Sequence, residues 1–155
     1  MQIQIDSREK AKAIQNILKE FDNQCVGYYT SKLYVGDYMS LDNPRVVIDR
    51  KQNLLEICGN VCQQHERFKA ELIRANQAGI KLILLCEHGK EIKSLEDVVW
   101  WENPRIKKSP RATTGEQLYK SLLTIRDRYN VEIVFCTKKE TGKRIIELLG
   151  GDKID

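Results

Sequence analysis

Two acidic residues and a lysine, placed around a predicted β-hairpin, form the part of the sequence best suited to chemistry. Asp37 follows Gly36, and Asp49-Arg50-Lys51 comes further along the chain. Because Asp49 and Lys51 are two residues apart, a strand would point both side chains to one face and Arg50 to the other. A hairpin that folds back at its turn would bring Asp37 close to Asp49. The sequence therefore predicts an acidic pair with a lysine beside it.

This acidic pair is suited to bind a hard divalent cation. Two carboxylates held close together repel each other, and a shared cation removes that conflict. Mg²⁺ typically takes one or two carboxylates, several waters and phosphate oxygens of the substrate. Such an ion can activate a water and stabilise charge on a phosphate, while Lys51 can orient the water or support the transition state. We therefore predict a phosphodiesterase site that uses Mg²⁺, with Mn²⁺ as a substitute, and no small-molecule cofactor.

The apolar pattern predicts that one α/β domain, residues 1–155, positions these groups on a central mixed β-sheet flanked by helices. The run 80–86 is almost continuously apolar, which is typical of a central strand covered on both faces. Predicted strands cover about 1–6, 25–29, 38–41, 45–50, 80–86 and 131–136. Predicted helices cover about 11–21, a short segment from Asn53, then 63–78, 94–101, 115–129 and the stretch from Thr137 to Gly150-Gly151.

Turn and cap residues mark the ends of these elements. The trio 42–44, Asp-Asn-Pro, predicts the turn of the hairpin, and Gly79 stands where glycine commonly ends a helix. Four pairs with the spacing of a capping box predict helix starts. They are Asp6 with Glu9, Asn53 with Glu56, Thr113 with Glu116, and Thr137 with Glu140.

Composition excludes some classes of protein. The 155 residues include 26 basic and 22 acidic ones, a formal net charge of +4, which does not by itself indicate nucleic-acid binding. No apolar run approaches the roughly 18 residues needed to cross a bilayer, and the first residues do not resemble a signal peptide. We therefore expect an intracellular protein, cytoplasmic in a bacterial, archaeal or phage setting and nuclear in a eukaryote.

The five cysteines are an odd number, which favours reduced, partly buried thiols over a disulfide framework. An alternative is a metal site formed by Cys58, Cys62 and His65. The two thiols would lie one helical turn apart, but a structural zinc site wants four ligands and no fourth is obvious.

Three motifs in order resemble a known family of nucleases. Gly36-Asp37 followed by Asp49-Arg50-Lys51 resembles the G-D…(E/D)-R-K signature of the XPF family of structure-specific endonucleases, in the PD-(D/E)xK superfamily with the restriction-endonuclease-like fold. Residues 5–9, Ile-Asp-Ser-Arg-Glu, resemble the family's D-x-R-E motif. Residues 65–68, His-Glu-Arg-Phe, resemble the helix that follows the catalytic hairpin. The resemblance extends over nearly the whole chain.

The resemblance implies a role for each acidic motif residue. Asp37 and Asp49 would bind the metal ion, Asp6 and Glu9 would add carboxylates for it or for a second metal ion, and Lys51 would act on the attacking water. Glu56 has two open interpretations, as a metal ligand or as the cap partner of its helix. Asp6 and Glu9 are likewise open between capping and catalysis.

Basic residues supply the candidate DNA contacts. By the resemblance, Arg8, Arg50 and Arg67 would organise the carboxylates or contact the DNA backbone, and Arg50 belongs to the predicted catalytic set. For Arg67 the alternative is a solvated i,i+4 ion pair with Glu71. The loop predicted over 102–113 is either a solvated loop or a phosphate clamp, and its basic residues are Arg105, Lys107, Lys108 and Arg111. The neighbouring pair Trp100-Trp101 is either a partial core anchor or a platform for stacking bases.

The resemblance implies an endonuclease acting on branched or structured DNA (a flap, fork or Holliday junction) in repair, recombination or replication. It also implies pairing of nuclease domains as a homodimer. Family members commonly carry a tandem helix-hairpin-helix module, which this sequence lacks, so we expect a stand-alone nuclease or part of a longer protein. The alternatives are a non-catalytic DNA-binding or scaffolding module with a nuclease fold, and a sequence-specific nuclease of the restriction type.

Overall fold

The computed structural model describes residues 1–150, and its centre is a six-stranded mixed sheet. The strands are β1 (Gln2–Ile5), β2 (Gly27–Thr30), β3 (Tyr38–Ser40), β4 (Asn43–Lys51), β5 (Lys81–Glu87) and β6 (Glu132–Cys136). Their order in the sheet is β2-β1-β3-β4-β5-β6. Strand β3 runs antiparallel to β1 and β4, and the other neighbouring pairs are parallel. The predicted α/β fold with a mixed sheet is therefore confirmed.

Five α-helices flank the sheet in the described chain. They are α1 (Gln15–Asn23), α2 (Leu54–Cys62), α3 (His65–Gln77), α4 (Gly115–Tyr129) and α5 (Thr141–Gly150). Short 3₁₀ segments cover Ala11–Ile14, Leu95–Trp100, Pro104–Lys107 and Lys138–Glu140. Every predicted helix is present, although the predicted segment 94–101 is a 3₁₀ helix. None of the helices among residues 1–150 has the length and apolar character needed to cross a bilayer.

The two faces of β4 are buried against different groups of helices. Ile48 packs with Ile17 and Phe21 of α1 and with Ile145 of α5. Val47 belongs to the cluster on the other face, with Phe68 and Leu72 of α3. Side chains alternate along a strand, so Asp49 continues the α3 face and Arg50 the α1–α5 face. The predicted separation of these two charged side chains is confirmed.

Strand β5 is buried on both faces, as its apolar run predicts. Leu82 and Leu84 pack towards α3, and Ile83 and Leu85 pack towards α1 and α5. The strand extends one residue beyond the predicted end at Cys86, because Glu87 pairs with Cys136 of β6. This extra residue brings a buried carboxylate to the carboxyl end of the sheet.

Two predicted caps are confirmed. The Asn53 side chain accepts a hydrogen bond from the Glu56 N–H at 2.9 Å, and Thr137 forms a capping box with Glu140. Gly79 follows α3 with a φ of +70°, a left-handed conformation that glycine adopts without strain.

Two other predicted caps are wrong. The box that starts α4 is formed by Thr114 and Gln117, one residue after the predicted pair of Thr113 and Glu116. The Thr113 carbonyl instead accepts a hydrogen bond from the Asn103 side chain. Asp6 and Glu9 do not cap a helix, because the first α-helix begins at Gln15 and their side chains bond elsewhere.

The hairpin turn is also displaced from its predicted place. Ser40 pairs with Asn43, so the turn is Leu41-Asp42, and Pro44 lies in β4 rather than in the turn. The register shifts between Met39 and Ser40, and this irregularity accommodates the shorter turn. Gly151 lies outside the described residues, so the predicted end of the last helix there and the single domain over 1–155 stay predictions.

Candidate active site

The start of the hairpin is closed by backbone hydrogen bonds around Asp37. Its N–H donates to the Ile48 carbonyl and its carbonyl accepts from the Asp6 N–H, both at 2.8 Å. Gly36 precedes it with a φ of +70°, and a Cβ there would collide with Val47 and the Ile48 backbone. The glycine is therefore required for the close approach that places Asp37 against β4.

The carboxyl groups of Asp37 and Asp49 come together at this point. Burial of the Asp37 carboxyl raises its pKa well above the usual range, and the charge of Asp49 and a hydrogen bond with it raise the pKa further. The Arg50 N–H donates to Asp37 Oδ2 at 2.8 Å and partly opposes this rise. Without a cation, the two groups thus compete for a proton. The predicted convergence of Asp37 and Asp49 is observed.

Lys51 lies next to this pair. Its Nζ is 3.2 Å from Asp49 Oδ2, donates to Asn60 Oδ1 at 2.8 Å and lies 5.3 Å from the centre of the Phe68 ring. Burial lowers the pKa of Lys51, but Asp49 and then Glu56 outweigh burial and raise it. The ammonium is therefore charged at neutral pH, and it acts as a fixed cation rather than as a base.

These groups line a cavity of about 290 Å³. Its lining includes five acidic side chains (Glu9, Asp37, Asp49, Glu56 and Glu71) and four basic ones (Arg8, Arg50, Lys51 and Arg67). Within the described chain, Asp49 Oδ2 is a buried oxygen with no hydrogen-bond partner, despite its ion-pair contact with Lys51. An acidic cavity with an unsatisfied carboxylate oxygen suits a cation.

Arg50 forms an ion-pair network on the other face of β4, and this network also borders the cavity. Its guanidinium pairs with Glu9, with Nε 2.8 Å from Oε2, and with Glu87. The Tyr38 hydroxyl donates to Glu9, and the Thr141 hydroxyl donates to Glu87. The pKa of Arg50 is raised, because the hydrogen bonds and charges of Glu9 and Glu87 outweigh its burial. Both Glu9 oxygens bond to Arg50, while Glu9 also lines the cavity, so its part in metal binding stays a prediction.

Asp6 is not brought into the cavity. Its Oδ2 accepts from the Arg8 N–H and Arg8 Nε, and its Oδ1 accepts from the Leu33 N–H at 2.7 Å. Although burial opposes them, these bonds lower the pKa of Asp6. With both oxygens engaged, Asp6 fixes the loop before Asp37, and the structure gives no support to its predicted part as a metal ligand.

Glu71 and Asn60 line the cavity, and the sequence reasoning assigned neither to the site. Burial, and then the charge of Asp49, raises the pKa of Glu71, whose Oε1 accepts from the Gly36 N–H at 3.4 Å. The sequence held a signal, because the buried Phe68 and Leu72 put Glu71 on the packed side of α3. No ion pair joins Arg67 and Glu71 within residues 1–150.

Glu56 lies both at the start of α2, as a cap partner, and at the wall of the cavity. Its Oε2 accepts from the Gln52 N–H at 2.7 Å, which completes the start of α2, and its side chain also lines the cavity. The cap bond is therefore observed, and a part in metal binding stays a prediction.

The four basic residues of the 102–113 segment lie outside this cavity. Arg105, Lys108 and Arg111 line a second cavity of about 490 Å³ on the other side of α2, and Lys107 lies beside the tryptophan pair. The segment is held by the buried Asn103, which donates to the Thr113 carbonyl and accepts from the Arg105 N–H. Their DNA-binding role stays a prediction.

The cysteines and tryptophans of this region have separate surroundings. Cys58 Sγ and Cys62 Sγ are 4.0 Å apart, but nowhere in residues 1–150 are three His, Cys, Asp or Glu side chains placed to share a metal ion. The structure therefore gives no support to a metal site with His65. Trp101 packs against the core, whereas Trp100 is 82% exposed.

Comparison with known proteins identifies the family to which the chain belongs. The profile of the ERCC4 domain matches residues 5–149, so this chain belongs to the ERCC4 domain family. This confirms the resemblance to XPF-type nucleases that the three motifs indicate. A search of the curated proteins found no match to the chain.

Two solved structures share the fold. The chain is similar to XPF from Aeropyrum pernix with a TM-score of 0.69 and 16% identity, covering 99% of this chain and 67% of that one. It is also similar to XPF from Aeropyrum pernix in complex with DNA, with a TM-score of 0.68 and 16% identity, covering 96% of this chain and 63% of that one. The chain thus spans about two thirds of the length of these relatives.

Proposed function

We propose that this protein is a divalent-metal-dependent DNA endonuclease that hydrolyses phosphodiester bonds in branched or structured DNA. The observation that carries the proposal is the meeting of the Asp37 and Asp49 carboxyls, with Lys51 Nζ 3.2 Å from Asp49 Oδ2. Membership of the ERCC4 domain family supports a nuclease, and the DNA complex of a structural relative supports DNA as the substrate.

The residues of the cavity fit Mg²⁺ or Mn²⁺. Asp49 and Asp37 offer hard carboxylate oxygens, and Asp49 Oδ2, within the described chain, has no hydrogen bond beside its ion-pair contact with Lys51. Mg²⁺ commonly binds through one or two carboxylates with waters and substrate phosphates. Only two carboxylates converge closely, which agrees with the lack of any larger metal-binding cluster in the described chain. When bound, the ion would lower the pKa of a water and stabilise charge on the phosphate.

The remaining residues have separate tasks in this proposal. Lys51 supplies a fixed positive charge beside the reacting phosphate, oriented by Asn60. Arg8 and Arg67 line the cavity and bind neighbouring phosphates of the DNA backbone. Arg50, Glu9 and the partners of Arg50 keep the hairpin in place, so they are positioning residues.

Water attacks the phosphorus directly in the proposed reaction. None of the side chains that line the cavity is a serine, threonine, tyrosine or cysteine, and Lys51 is charged, so the described site offers no hydroxyl, thiol or neutral amine as a nucleophile. We expect a 5′-phosphate and a 3′-hydroxyl as products, on the family resemblance. Action in repair, recombination or replication and pairing as a homodimer also remain proposals from that resemblance.

A cleavage panel tests the function. Purified protein is incubated with labelled flap, fork, four-way and linear DNA, with Mg²⁺ or Mn²⁺ or with a chelator. We expect metal-dependent cutting of at least one branched substrate, and its loss in Asp37→Asn and Asp49→Asn. Asp42→Asn, an exposed change in the same hairpin, is the matched control and should cut normally. Circular dichroism and thermal melting check that each variant folds.

The same panel separates the other two classes. DNA binding with no cutting under any metal condition would favour a non-catalytic binding or scaffolding module. Discrete bands from long linear duplex would favour a sequence-specific nuclease of the restriction type. Full activity in either acidic variant would remove the site assignment.

A further inference from the structure

A basic shelf with an exposed aromatic ring adjoins the active-site cavity. A second depression, of about 460 Å³, is lined by Ser7, Arg8, Lys32, Leu33, Tyr34 and Arg74. Arg8 lines both the depression and the active-site cavity, so the two surfaces are continuous there. The charged residues of this basic shelf are all cationic, whereas the cavity holds more acidic than basic side chains. The two surfaces therefore suit different parts of a substrate.

Tyr34 is the aromatic residue of the basic shelf. Its side chain is exposed, at 64%, although it stands between the buried residues Leu33 and Val35. The guanidinium of Arg74 lies 5.5 Å from the centre of its ring. A ring held by a cation on one side and accessible to solvent is a surface on which another flat group can stack.

The backbone around Tyr34 is fixed by contacts from β1, from the residue that follows β1, and from α3. The Leu33 N–H donates to the buried Asp6, and the Gln4 side chain donates to the Lys32 carbonyl at 3.1 Å. The Gly36 N–H contacts Glu71 at 3.4 Å. Because the loop is ordered before any ligand arrives, binding on Tyr34 would lose little conformational entropy. Asp6 does not line the cavity, but its bond to the Leu33 N–H helps to position Tyr34.

We propose that Tyr34 is a stacking site for an unpaired nucleotide of the DNA substrate, with Arg8, Lys32 and Arg74 binding the adjacent phosphates. This rests on the proposed function, because it names the part of the substrate next to the cleaved bond. Tyr34 is three residues before Asp37, so their Cα atoms are at most ~11 Å apart. A strand with its phosphate in the cavity therefore reaches the ring within a few nucleotides. Unpaired bases present a face for stacking, while bases inside a duplex are already stacked.

The experiment measures DNA binding without cleavage. Affinities of the wild-type protein and of Tyr34→Ala, Tyr34→Phe and Leu41→Ala are measured by fluorescence anisotropy in a chelator, on a fork with single-stranded arms and on a linear duplex. We expect Tyr34→Ala to weaken fork binding by roughly tenfold, in keeping with the loss of one aromatic stack. Tyr34→Phe should restore binding, and duplex binding should change less than about twofold. Leu41→Ala removes an exposed apolar side chain elsewhere, in the hairpin turn, and should have no effect.

A base-by-base readout locates the stacked nucleotide. An abasic site is moved through the unpaired positions next to the junction, and 2-aminopurine is placed at the same positions. We expect one or two positions where the abasic change weakens wild-type binding but leaves Tyr34→Ala binding unchanged, because both changes remove the same stack. At those positions the wild type should quench 2-aminopurine fluorescence, and Tyr34→Ala should not.

The outcomes separate this inference from the proposed function. Equal fork affinity of the wild type and Tyr34→Ala, or an equal loss on duplex, would overturn the stacking site even if cleavage is normal. Quenching that depends on Tyr34 would support the stacking site even if no substrate is cut, and in that case only the proposed catalysis would fall.

Discussion

The two faces of β4 hold charged groups in opposite ways. On the α1–α5 face, Arg50 is paired with Glu9 and Glu87, so the buried charges are compensated inside the protein. On the α3 face, Asp49 meets Asp37, and Lys51 compensates only one of these two acids. The difference indicates that the first face maintains the structure, while the second face leaves negative charge for a cation from outside.

The largest expected effect comes from removing the charge of Asp49. Asp49→Asn keeps the size of the side chain but removes a carboxylate from the proposed metal site, so cleavage should fall by roughly a thousandfold or more. Initial rates on the best branched substrate check this. Circular dichroism should show the native fold, which would separate a chemical defect from misfolding. A variant that is folded and active would contradict the proposal that the α3 face of β4 binds a catalytic cation.

Removing the Arg50 charge from the α1–α5 face of β4 should lower the stability of the protein. Arg50→Met leaves the buried acids Glu9 and Glu87 without their cation, and the loss of one partner of a buried ion pair typically costs about 3–5 kcal/mol. Denaturant unfolding measures this cost. Arg67→Met is the matched control, because Arg67 is exposed and forms no ion pair within the described residues. If both variants unfolded at the same denaturant concentration, the Arg50 network would not be a structural element.

Asp37→Asn is expected to raise the stability of the protein slightly when no metal is bound. The raised pKa of Asp37 means that the folded state keeps its proton to a higher pH than the unfolded chain does. Its contribution to stability is therefore present below the unfolded pKa of about 3.9 and is lost as pH rises through the folded pKa. The Asp37→Asn variant has no proton to lose at this position, so it would not suffer this loss.

Melting curves in a chelator check this sign. The melting temperature of Asp37→Asn at neutral pH should exceed that of the wild type by a few degrees. Adding Mg²⁺ should raise the melting temperature of the wild type but not of the variant, because only the wild type keeps both carboxylates. A variant less stable than the wild type in the chelator would contradict the repulsion at this pair.

The smallest expected effects belong to the basic loop. If Lys107 and Lys108 contact phosphates, replacing both by Gln should reduce the slope of log affinity against log salt by about 0.9 for each lost contact on duplex DNA. The control replaces Lys12 in the first 3₁₀ segment and Lys19 in α1 by Gln, which removes the same amount of charge. An unchanged slope would leave the loop as a solvated segment.

The sequence predicted the part of the site that depends on local geometry. The period of two along β4 separates Asp49 and Lys51 from Arg50, and Gly36 marks the close approach at the hairpin. The fold class also followed from local patterns, because the short apolar run of β5 is typical of a strand buried on both faces.

Partners that come from distant elements could not be predicted in this way. Asp6 and Glu9 share one motif, yet Asp6 bonds to Arg8 and Leu33, while Glu9 bonds to Tyr38 and Arg50. Their separation depends on how three strands are paired, which the spacing of residues does not contain. The displaced start of α4 has a similar cause, since Asn103 binds the Thr113 carbonyl across ten residues.

The most direct test of the proposed metal site is to locate the cation. Crystals of the protein with branched DNA and Mn²⁺ allow the ion to be identified by its anomalous scattering. We expect a peak in contact with the carboxylates of both Asp37 and Asp49, near Lys51 and a DNA phosphate, and its loss in Asp49→Asn. A peak elsewhere, or DNA bound in the cavity with no ion between these two residues, would contradict it.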